Sequence, residues 1–95
     1  MTTTDDIIAQ RRNTHGPFGP QFEFAQSLKS LFRSAPGWEE LNPVLKEVLE
    51  MEATKLSRIL HGNSSEPDHF ADLAGYARLG EMHVKGISDQ KERRE

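Results

Sequence analysis

The chain has 95 residues, of which 35% are hydrophobic and 28% charged, with a formal net charge of −3. That makes one domain with a small core, and association into oligomers is a common remedy for a core of this size. The acidic balance excludes a whole-molecule field that attracts nucleic acid polymers, and the absence of cysteine excludes disulfides, thiol catalysis and thiolate metal sites.

No apolar run is long enough to span a membrane. The N-terminus "MTTTDDIIAQ" has no basic segment followed by an apolar one, so the expectation is a soluble protein of the cytoplasm. "TTTDDIIAQRR" fits a short helix: Thr3 and Asp6 have capping-box spacing, with acids in the first turn and arginines in the last. "NTHGPFGP", residues 13–20, carries two glycines and two prolines and reads as a loop. In "QFEFAQSLKSLFRS", Phe24, Leu28, Leu31 and Phe32 recur at helical spacing beside Ala25. "APGWEEL" reads as a turn that folds Trp38 back onto the core.

Asn42 followed by Pro43 opens the next helix, with Asn as cap and Pro at the first helical position. It is expected to run to His61, with Leu45, Val48, Leu49, Leu56, Ile59 and Leu60 as its apolar face and Gly62 ending it. "NSSEP" is a short loop, in which Ser65 and Asp68 again have capping-box spacing. The last helix is expected over 67–84, with Phe70, Leu73, Ala74, Ala77 and Val84 on one side. No segment alternates as a strand does. The reading is therefore all-α: a four-helix domain over 1–86 with a long antiparallel hairpin, and a charged, flexible tail over 87–95.

Several residues can carry chemistry. Glu47 and Glu50 lie three apart on the third helix, and Asp68 and Asp72 four apart on the fourth. Two helices offering carboxylates to one cleft suit Mg²⁺, a hard ion that prefers oxygen ligands. The alternative is solvated helix acids. Counting outward from the hairpin loop sets Asp72 beside Lys55 and Asp68 near Arg58, while Glu50 and Asp72 are offset by roughly 8 Å along the axis. That favours an interhelical ion pair between Asp72 and Lys55 or Arg58. Glu52 falls at the edge of the apolar face, where its stem packs and its carboxylate reaches water. In "RRNTHGPFGP", Arg11, Arg12 and His15 suit phosphate, or else form a rigid connection. His61, His69 and His83 show no ligand pattern, and His61 suits the negative end of its helix. Gly75 weakens its helix unless something packs closely there, and Tyr76 stands four residues after Asp72 on the same face, where it suits a base or a sugar.

Taken together, "RRNTHGPF", "EVLEMEATKLSRILHG" and "DHFADLAGYARL" resemble a group of small helical proteins of bacteriophages and prophages. That group is regarded as MazG-like, a distant relative of the all-α nucleoside triphosphate pyrophosphohydrolases. The similarity covers about residues 11–82. It implies a homo-oligomer, a dimer or tetramer, in the host cytoplasm. It also implies Mg²⁺ held by paired acids on two helices, and cleavage of a nucleotide to a monophosphate and pyrophosphate. Carried onto this chain, Glu47 and Glu50 form one metal pair and Asp68 and Asp72 the other. On this expectation Glu50, Lys55 and Asp72 would be the catalytic residues, Lys55 and Arg58 would face phosphate with Arg12 and His15 assisting from the loop, and Tyr76 would meet base or sugar. The superfamily has more consecutive acids in its first motif, and a Glu and an Asp three apart in its second. Those departures support a rival reading, a non-catalytic helical phage protein that binds or inhibits a host protein.

Overall fold

The computed structural model describes residues 3–15 and 17–86. The charged tail expected over 87–95 lies outside the described residues. Four α-helices account for nearly all of the rest: α1 (Thr4–His15), α2 (Phe18–Ser34), α3 (Pro43–His61) and α4 (Pro67–Lys85). A single 3₁₀ turn, Trp38–Glu40, joins α2 to α3, and no strand occurs among the described residues. None of these helices is long and apolar enough to cross a membrane.

The helix starts follow local chemistry. Thr3 and Asp6 close a reciprocal capping box, with Thr3 N donating to Asp6 Oδ2 at 3.2 Å and Asp6 N to Thr3 Oγ1 at 3.1 Å. The Asn42 side chain accepts from Leu45 N at 3.0 Å, with Pro43 in the first turn. At the other end of the chain, Gly86 takes a left-handed φ of 74° and closes α4 by donating to the His83 carbonyl. The Ser65–Asp68 box does not form. Because Pro67 starts the helix, the cap position is Glu66, and Ser65 N instead donates to Asn63 Oδ1 at 3.0 Å.

The loop expected over 13–20 shrinks to a short connection. α1 continues to His15 and α2 begins at Phe18. Pro20 sits in the first turn of α2, where backbone N–H groups have no intrahelical acceptor, so the ring costs no bond there.

α3 is the central helix, flanked by α2 on one side and its hairpin partner α4 on the other. The α2–α3 seam is built from small residues: Ala53 and Ser57 are fully buried, with Ala25 also inside. The backbones come close enough for Ser57 Oγ to donate to the Gln21 carbonyl at 2.6 Å. Trp38 folds inward as expected, against Phe32 at 6.4 Å between centroids, with Lys46 Nζ 5.9 Å from its ring centre.

The leucines and phenylalanines do not form the buried set. Leu49, Leu56 and Leu60 of the expected α3 face are exposed, as are Phe70 and Val84 of α4 and Leu31 of α2. Inside are Gln21, Lys55, Ser57 and His69, with Ala25, Trp38, Ala53 and Met82 as the buried hydrophobic residues. Along the α2–α3 seam, close approach selects small side chains on the contact line.

Candidate functional site

The site grows from one turn of α3. Lys55 is 3% exposed, so its ammonium requires partners inside the protein. Asp72, across the hairpin on α4, supplies one: Lys55 Nζ lies 2.8 Å from Asp72 Oδ2. This is the pairing expected from counting outward from the loop. The hydrogen bond from Lys55, reinforced by its charge, holds the Asp72 carboxyl below its ordinary value near 3.8, and His69 and Arg58 add to that pull.

His69 is the second partner, one turn before Asp72 and 1% exposed. Its Nε2 lies 3.2 Å from the Thr14 carbonyl. A carbonyl only accepts, so Nε2 carries the proton and Nδ1 turns its lone pair to Lys55 Nζ at 3.5 Å. Thr14 O also accepts from Asn63 N at 3.0 Å. One carbonyl at the end of α1 is therefore tied to the hairpin loop and to the buried histidine at once. This knot sets where α1 lies against α3 and α4.

Two clefts open beside it. A polar cleft of about 480 Å³ is lined by Arg11, Lys55, Arg58, Asp68, His69 and Asp72, among others. A second, largely apolar cleft of about 300 Å³ is lined by Ile8, Arg11, Arg12, Phe18, Phe22 and Arg58, together with Gln21. Arg11 and Arg58 line both. Arg58 Nε is buried with no hydrogen-bond partner.

The candidate residues thus divide. Lys55, Arg58, Asp68 and Asp72 come together on the polar cleft. Arg12 lies on the apolar one. Glu50 faces the other way: Arg33 of α2 grips it with two bonds, Nε to Oε2 at 3.2 Å and Nη2 to Oε1 at 3.1 Å. Glu47 is exposed on α3 and lines neither cleft. The two acid pairs are not brought to one place, and no three His, Asp or Glu side chains among the described residues form a group able to hold a metal ion. Tyr76 is half-buried and outside the lining of both clefts. His15 ends α1, and its side chain lies outside what the structure describes.

Two other expectations have clear outcomes. His61 donates through Nδ1 to the Ser57 carbonyl at 2.8 Å, serving the end of α3. Glu52 does not reach water with both oxygens: Oε1 is buried without a partner, and burial pushes its carboxyl above the ordinary value near 4.5.

Sequence reasoning missed His69, Phe18 and Phe22. His69 carried a usable signal, since it stands three residues before Asp72 on the face that meets Lys55. Phe18 and Phe22 became visible as a site only once α2 began at residue 18 and set them one turn apart. No family model, no curated protein and no solved structure matches the chain.

Proposed function

We propose that this chain is a nucleotide-binding protein of the MazG-like, phage type, which takes the phosphates of its ligand into the cleft between α1, α3 and α4. The observation that carries the reading is the convergence of Arg11, Lys55 and Arg58, from two helices, on one polar cleft. Guanidinium groups meet phosphate oxygens through paired N–H bonds, and Lys55, held by Asp72, stands at the floor of the same cleft. Of the cleft's three acids, Glu66, Asp68 and Asp72, the two aspartates have a matching use. Mg²⁺ reaches such sites on the nucleotide's own phosphates and needs only one or two carboxylates from the protein. Glu47 and Glu50 are not part of this set within one chain, and Asp72 is engaged by Lys55.

The same reading includes self-association. Leu31, Leu60, Phe70 and Val84 are all more than half exposed, and apolar side chains of this size gain from being covered. The proposed occupant of these faces is a second copy of the chain, and light scattering on the purified protein reads the mass directly. A monomer at tens of micromolar favours the second reading, a helical factor that covers these faces with a different protein.

The test is a thermal-shift screen of nucleoside triphosphates with and without Mg²⁺, with pyrophosphate release followed in the same samples. A nucleotide at a hundred times its dissociation constant adds about 2.7 kcal/mol to the folded state. That is a rise of roughly 10–20 °C for a domain of this size. No shift with any nucleotide, and no pyrophosphate, would end the proposal.

A further inference from the structure

The polar cleft alone suits any small phosphate. Its neighbour narrows the choice. Phe18 and Phe22 are 62% and 56% exposed, stand edge to face with centroids 5.7 Å apart, and share their cleft with Ile8. Large aromatic side chains left in water beside three arginines are an unusual surface for a purely structural role. Arg11 and Arg12 make no ion pair among the described residues. Arg58 lines both clefts, and its buried Nε–H has no acceptor within the chain. A ligand that meets these arginines needs oxygen acceptors, and at this cleft it sits next to an aromatic pair.

We infer that the apolar cleft is the subsite for the flat ring of the ligand, so that the base lies on Phe22 and Phe18 while Arg11 and Arg58 hold the phosphates at the junction. This rests on the reading of the polar cleft as the phosphate site of a nucleotide and adds the place of the ring, which a ring-free polyphosphate lacks. It also assigns the base contact to α2 instead of Tyr76, which lines neither cleft. Stacking on an aromatic face tolerates any base, so the subsite fixes ring against no ring before it distinguishes one base from another.

The test compares three probes on the full chain by titration calorimetry: inorganic tripolyphosphate, ATP and dCTP, each with Mg²⁺. The nucleotides are expected to bind roughly 5- to 150-fold more tightly than tripolyphosphate, the range that base–aromatic stacking spans. Phe22→Ala is expected to bring the nucleotides down to the tripolyphosphate level without moving tripolyphosphate itself. Because Phe22 is exposed, the variant should keep its fold, and Phe22→Leu retains the apolar bulk while removing the ring face. Tripolyphosphate binding as tightly as the nucleotides, or nucleotide affinity unchanged in both variants, overturns the ring subsite and leaves the phosphate site standing. If none of the three probes binds, both fall. Arg58→Gln is the control, expected to weaken all three alike.

Discussion

The knot at Thr14 is the most demanding test of the structure. His69→Ala removes the Nε2–H bond to the Thr14 carbonyl and the Nδ1 acceptor facing Lys55. Each such bond contributes about 1 kcal/mol net. The lost ring, at 1% exposure, leaves a hole of roughly 60 Å³, and at about 24 cal/mol per Å³ this adds about 1.5 kcal/mol. Alanine returns about 0.5 kcal/mol of helix propensity in α4. The net cost is about 3 kcal/mol, or a fall in Tm of roughly 12–24 °C, read by circular dichroism at 222 nm. Hydrogen exchange should report the loss unevenly. α1 keeps Ile7 and Ile8 at 40% and 47% exposure, so little apolar burial holds it once the knot is cut. Protection over 4–15 should therefore collapse before protection over α3. His69→Phe, which keeps the ring volume, should recover part of the Tm but not the α1 protection. A Tm within 4 °C of the parent, with α1 protection unchanged, refutes the reasoning.

Three further predictions follow from single contacts. Lys55→Met and Asp72→Asn should each lower Tm, and the double variant should lose less than the two singles combined, because each single change strands one partner of the pair. Since the native carboxyl of Asp72 titrates below 3.8, the pair's contribution is full above the ordinary aspartate range and is lost as pH falls through the lowered native value. A parent-to-Asp72→Asn difference that disappears already at pH 6 contradicts this. Glu52→Gln should raise Tm at pH 7, where the ionised carboxylate has a buried oxygen without a partner. The gain should fade as acid protonates the parent through its raised value down towards 4.5, and a loss of Tm at pH 7 would count against it. Gly75→Ala should stabilise by about 1 kcal/mol, or roughly 4–8 °C, since a Cβ there meets nothing within 4 Å in the chain. A lower Tm instead would place another molecule against that turn.

What the sequence made legible was local. Thr3, Asp6, Asn42, Pro43 and Gly62 marked helix boundaries because capping and termination are decided within a few residues. The Lys55–Asp72 pair could be counted from the hairpin because a short loop fixes which turns of two antiparallel helices face each other. The buried face was not legible. Periodicity ranks side chains by polarity, and it therefore chose Leu49, Leu56 and Leu60. The contact between α2 and α3 is instead governed by closeness, which selects Ala53 and Ser57. Glu50 was misleading for a related reason. Its spacing from Glu47 suggested a pair, but its orientation depends on Arg33, seventeen residues away on another helix. His69 stood one turn from Asp72, yet only the end of α1 reveals its purpose, and α1 reached that far because the Gly–Pro segment was shorter than its composition suggested.

The buried polar groups fall into two sets with different consequences. Ser57 and the Gln21 carbonyl join α2 to α3. Lys55 and His69, with the backbone of Thr14 and Asn63, join α1 to the hairpin, and α1 carries Arg11, which shares both clefts with Arg58 of α3. A core of leucines would hold α1 as firmly, but would tolerate small slides of the helix along its axis. Directional bonds to a single carbonyl do not tolerate them, because a shift of one residue removes the acceptor. Burying a lysine and a histidine costs solvation that these bonds only partly return. The return comes as register. On the proposed reading, two guanidinium groups from different helices must meet one phosphate, so the residues that weaken the core are the ones that hold Arg11 and Arg58 at a fixed separation.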